Sequence, residues 1–185
     1  MNNDQPYPNG RAVLSAIKAK AVSAHRGGLG TSVQSLIELA IFDRFLCRVF
    51  SDPDCPFALK GGTGMLARLP GARRTTDVDL ETAEMTIDEA ITQLRAVVSV
   101  DLGDYLEFRY LRHRDTGGRN QPEVQAAAVT FSVTVRGAGT QNPINVDLAI
   151  HKRMPAAPLE RITPAFRLDM SRLGPAGENH PGVPA

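Results

Sequence analysis

The chain has 185 residues, 42% of them apolar and 22% charged, enough to bury the core of one domain and too apolar for a wholly disordered protein. A formal net charge of +1 excludes binding to nucleic acid through global basic charge. No apolar run approaches the roughly 18 residues of a membrane span, and Cys47 and Cys55 make neither a disulfide framework nor a zinc-spaced set with histidine. Met1 to Gly10 is polar and contains proline, without the basic-then-apolar pattern of a signal peptide. The expectation is a soluble, reduced, cytoplasmic chain with no membrane partner.

In chain order, Arg11 to Arg26 reads as a basic helix closed by Gly27-Gly28. A second helix is expected from Thr31, with Gln34 completing a capping box, and its apolar stripe is Val33, Leu36, Ile37, Ala40, Ile41, Phe45 and Val49. Asp52-Pro53 and Cys55-Pro56 end it. Phe57 to Lys60 reads as a short strand, Thr63 to Leu69 as a brief helix after Gly61-Gly62, and Asp77 to Glu81 as a second strand. Thr86 with Glu89 caps the clearest helix, whose stripe is Ile87, Ala90, Ile91, Leu94, Val97 and Val98. The period then changes to two over Tyr105 to Arg112, Ala127 to Arg136 and Pro143 to His151, an antiparallel run of strands. From Pro155 onward the chain holds six of its 13 prolines and reads as an extended tail, with one helical turn at Phe166 to Leu173. The fold class is α+β, a mixed sheet backed by helices. Residues 1–154 form the domain, with a helical part at about 11–51, and 155–185 the tail.

The chemistry concentrates in three places. Asp77 and Asp79 alternate with Val78 and Leu80, so in a strand both carboxylates leave from one face. Held that close they repel unless a cation lies between them, and magnesium accepts carboxylate and phosphate oxygens together. A lone D-x-D is more often a solvated strand face. A third carboxylate, Asp147, interrupts the apolar strand Ile144 to Ile150, where aspartate is disfavoured; Asn145 shares its face. Gly61-Gly62 joins a strand to a helix N-terminus, a place that suits a phosphate, although two glycines also make an ordinary tight turn.

Taken in order, Phe57-Ala58-Leu59-Lys60-Gly61-Gly62-Thr63, then Arg73-Arg74-Thr75-Thr76-Asp77-Val78-Asp79-Leu80, then Asp147 on a later strand, resemble the nucleotidyltransferase superfamily. With Phe42-Asp43-Arg44-Phe45-Leu46-Cys47-Arg48 upstream, the pattern resembles more narrowly the AbiEii/AbiGii (MenT-like) toxin nucleotidyltransferases, over about residues 10 to 155. The resemblance implies a nucleotidyltransferase-like mixed sheet with N-terminal helices. It implies that Asp77, Asp79 and Asp147 bind Mg2+, with Mn2+ as a substitute, and form the catalytic set. Gly61, Gly62 and Thr63 would cradle a nucleoside triphosphate, with Lys60, Arg73 and Thr75 lining the same pocket. It further implies a toxin of a type IV-like toxin–antitoxin system, which transfers NMP from NTP to RNA, at the 3′ end of tRNA, blocks translation and is neutralised by an antitoxin. Such toxins carry a further lysine in a helical region beyond the third acidic strand; Lys152 and Arg153 do not align with it. Two other readings of the same residues stay open, a non-catalytic domain binding nucleotide, RNA or a partner, and an adenylyltransferase acting on protein.

Basic residues cluster although the total nearly cancels: Arg11, Lys18, Lys20 and Arg26; Arg68, Arg73 and Arg74; and Arg109, Arg112, Arg114 and Arg119. Stripes of this kind flanking an acidic site suit an RNA backbone, though any one of them alone is more often a solvated face. Of the histidines, only His151 falls in phase with Asp147 and Asn145.

Overall fold

The computed structural model describes residues 7–28, 30–59, 77–117, 124–153, 161–162 and 183–184. Helix α1 (Gly10–Arg26) starts at Asn9, whose side chain accepts from the Ala12 amide. Its first residue must be glycine, because a Cβ there would overlap the Arg136 carbonyl. Helix α2 (Val33–Val49) begins two residues later than the sequence suggested. Ser32 is the N-cap, and its hydroxyl accepts from the Ser35 amide. The expected Thr31/Gln34 box does not form, since Gln34 instead donates to Glu38 one turn on. Helix α3 (Ile87–Val98) carries the full reciprocal box: Glu89 accepts from the Thr86 amide at 2.8 Å, and Thr86 accepts from the Glu89 amide at 3.3 Å.

Strands β1 (Ala58–Leu59), β2 (Asp77–Ala83), β3 (Leu106–Asp115), β4 (Val124–Val135) and β5 (Gly139–His151) form one sheet in the order β1-β2-β5-β4-β3. The last three strands make the expected antiparallel run. β5 then returns to the middle of the sheet and pairs in parallel with β2, while β1 closes the other edge antiparallel. A two-residue ladder joins β6 (Arg161–Ile162) to β7 (Val183–Pro184) in the stretch expected to be an extended tail. The helix expected at Thr63 to Leu69 and the turn at Phe166 to Leu173 lie outside the described residues.

Period-two alternation sorts the sheet into two faces. Val78, Leu80, Leu106, Phe108, Val129, Phe131, Val133, Ile144, Val146 and Leu148 are buried on one face beneath the helices. Phe45 of α2 meets Phe108 and Phe131 edge-on, with ring centroids 5.4 and 5.5 Å away. The other face carries the polar residues. Among the described residues, no helix is long and apolar enough to cross a membrane.

Candidate active site on the outer face of the sheet

The parallel pairing of β2 with β5 builds the site. Its register sets Asp77 beside Asn145, Asp79 beside Asp147 and Glu81 beside Ala149. Adjacent strands lie about 4.8 Å apart, and paired residues share a face. Three carboxylates therefore leave the same patch of sheet, Asp77 and Asp79 half-buried and Asp147 exposed. The apolar partners Val78, Leu80, Val146 and Leu148 anchor the two strands from the opposite side. Desolvation first, then the charges of Asp77 and Asp79, raise the pKa of Asp147 above the ordinary aspartate value. Asp77 and Asp79 thus act on Asp147 as like charges.

Two residues that the motif did not include complete this face. Glu81 continues the alternation of Asp77 and Asp79, and its carboxylate lies 3.2 Å from Nε2 of His151. The phase shared by His151, Asp147 and Asn145 pointed to this histidine; only the pairing across strands shows its acidic partner. Across the sheet, the Thr130 hydroxyl donates to Asn145 at 3.3 Å.

Hard oxygen donors on adjacent strands suit a divalent cation such as Mg2+ or Mn2+. Among the described residues no three His, Cys, Asp or Glu side chains already surround one point, so holding an ion requires their rotamers to converge. Lys60, Gly61, Gly62, Thr63, Arg73 and Thr75, expected around the nucleotide, lie outside the described residues, as do Arg68, Arg74 and Arg119. Lys152 and Arg153 follow β5 directly and are exposed.

The segment Phe42 to Arg48 is not on this face. Arg44 and Arg48, one turn apart on α2, point into the core and share Asp104. Arg44 Nε donates to Asp104 at 2.7 Å, and Arg48 donates to both carboxylate oxygens, at 2.6 and 3.0 Å. Arg48 also reaches the carbonyls of Val100, Leu106 and Arg44 and stacks over Phe108. The next residue, Tyr105, has φ of 62°, a left-handed turn that lets the Leu106 amide donate to Asp104 at 3.1 Å. Burial pushes the Asp104 carboxyl up, but hydrogen bonds and charge from Arg48, then Arg44, outweigh it and hold the group below the ordinary aspartate value. Arg44 and Arg48 fall on the apolar stripe of their helix, a signal in the sequence that an acidic partner had to be buried with them.

The outer face of this mixed sheet thus carries acidic residues gathered by one parallel strand pair. Residues 44–182 match the family described as the nucleotidyl transferase AbiEii toxin of type IV toxin–antitoxin systems. The chain belongs to that family. The match starts within α2 and continues through the proline-rich segment past residue 154. No curated protein gives a significant match. Among solved structures, a candidate nucleotidyltransferase from H. pylori superposes with a TM-score of 0.43 at 14% identity, over 74% of this chain and 56% of that one. The Helicobacter pylori protein JHP933 does so with a TM-score of 0.42 at 12% identity, over 76% of this chain and 54% of that one. The chain thus spans little more than half the length of the solved structures it matches.

Proposed function

We propose that the protein is a nucleotidyltransferase toxin that transfers NMP from NTP to RNA, at the 3′ end of tRNA, and that a cognate antitoxin restrains it. The observation that carries this reading is the register that places Asp79 beside Asp147, with Asp77 on the same face. Membership of the AbiEii family supports the reaction class and the antitoxin.

In this mechanism the 3′-hydroxyl oxygen attacks the α-phosphorus, the bond from that phosphorus to the β-phosphate oxygen breaks, and pyrophosphate leaves. Asp77, Asp79 and Asp147 would hold Mg2+, which supplies charge stabilisation at the phosphate oxygens when bound. The proton that the hydroxyl releases passes to a carboxylate of this set or to water. The strand pair holds these carboxylates on a rigid base, so the protein contributes mainly positioning. Gly61, Gly62 and Thr63 are assigned to the triphosphate, with Lys60, Arg73 and Thr75 around it.

The test is incubation of the protein with Mg2+, each α-labelled NTP in turn and total tRNA. Label should appear on RNA, and Asp79→Ala should lower it at least about a hundredfold while circular dichroism stays unchanged. Full transfer by Asp79→Ala would overturn the site. Label on protein would move the acceptor to a protein hydroxyl.

A further inference from the structure

The arginines of β3 occupy a place that simple alternation denies them. Leu106 and Phe108 face the core, so an unbroken strand would turn Tyr110, Arg112 and Arg114 to that side. Instead the register shifts: Tyr110 pairs with Phe131, and Arg112, two residues later, pairs with Thr130. Leu111 is the extra residue of a β-bulge, which is why it is one of two large apolar side chains left exposed among the described residues, at 55%. Beyond it, Arg112 and Arg114 stand on the carboxylate face.

The pairings extend across four strands. Arg112 stands in one row with Thr130, Asn145 and Asp77. Arg114 stands in the next row on that face, with Ala128, Asp147 and Asp79. Between the basic edge and the acidic pair, β4 presents only small side chains in these rows, so the floor is low. Both arginines are exposed, and neither joins the ion pairs of its neighbours, Arg109 with Glu107 and His113 with Asp115.

We propose that this face is a track for the single-stranded 3′ end of an RNA. Arg112 and Arg114 hold backbone phosphates at the β3 edge, and the strand crosses β4 to present its terminal hydroxyl at Asp79 and Asp147. The proposal rests on the reading of the carboxylates as a transfer site acting on RNA. At about 4.8 Å per strand, Arg114 is two steps from Asp147 and Arg112 three from Asp77, roughly 10 and 14 Å, the length of three to four nucleotides stacked at about 3.4 Å. Charge favours this occupant. Its phosphates meet the arginines, and the group it brings to the carboxylates is an uncharged hydroxyl.

The experiment is fluorescence anisotropy of the full chain, without NTP, against a labelled hairpin RNA with a short single-stranded 3′ overhang. Arg112→Gln/Arg114→Gln should weaken binding at least about tenfold and lower the slope of log K against log salt by about 1.4, two single-strand phosphate contacts. Arg112→Lys/Arg114→Lys should retain most of the affinity and the slope. An unchanged affinity and slope in the Gln variant would overturn the track, as would an equal loss on the hairpin without its overhang. Loss of antitoxin binding with RNA binding intact would give the edge to the protein partner and overturn it too. Transfer by the parent protein is scored separately: its absence refutes the transfer reading, while the anisotropy still decides the track.

Discussion

The two faces of the sheet treat charge in opposite ways. On the helix side, Arg44, Arg48 and Asp104 are fully buried, and the carboxylate receives two guanidinium groups and a backbone amide. On the outer side, Asp77, Asp79 and Asp147 are gathered with the same sign, and the pKa of Asp147 is raised. Burial pushes both carboxyls up; at Asp104 the guanidinium groups of Arg48 and Arg44 outweigh it, whereas at Asp147 the charges of Asp77 and Asp79 add to it. The buried cluster sets one carboxylate against two guanidinium groups and ties α2 to the start of β3. The outer cluster gathers carboxylates on one patch of the sheet, the proposed transfer site.

Removal of Asp104 should have the largest effect on stability. Asp104→Ala leaves two buried guanidinium groups without their carboxylate and should cost about 3–5 kcal/mol, against about 1 kcal/mol or less for Asp79→Ala. Urea denaturation of both variants measures this, and equal losses would erase the distinction between the faces. The acid limb comes next. Because the Asp104 pKa is lowered by folding, its stabilisation is complete above the unfolded value of about 3.9 and disappears as pH falls through the lowered one. The stability difference between the parent and Asp104→Asn should therefore hold steady from neutral pH to about pH 5 and shrink below about pH 4.

Divalent cations should act on the other face alone. Mg2+ should raise the melting temperature of the parent by about 2–5 °C at saturating concentration and leave Asp147→Asn unmoved. An equal rise in both would take the ion away from these residues. The smallest effect is a gain. Folding raises the pKa of Asp147, so ionising it penalises the fold increasingly as pH rises through that value. Without divalent ions, Asp147→Asn should melt about 1–2 °C higher than the parent at neutral pH, and by less in acid.

Much of this was legible in local patterns. The Thr86/Glu89 box, the stripe of α3 and the alternation around Val129 to Val135 follow from helix and strand periodicity, which neighbouring residues decide among themselves. The D-x-D and Asp147 were likewise visible as carboxylates in phase on apolar strands. What the sequence by itself determined, then, is which face of its own element each of these side chains occupies. Tertiary structure decided the rest, because it depends on contacts between residues far apart in the chain. The cap of α2 moved to Ser32, and Asp104 met Arg44 and Arg48 across more than 50 residues. β5 entered the sheet beside β2, setting Asp147 next to Asp79, and one bulge at Leu111 turned Arg112 and Arg114 toward them. A single inserted residue reverses a strand's faces, and only the pairing partner across the sheet settles which residue is the extra one.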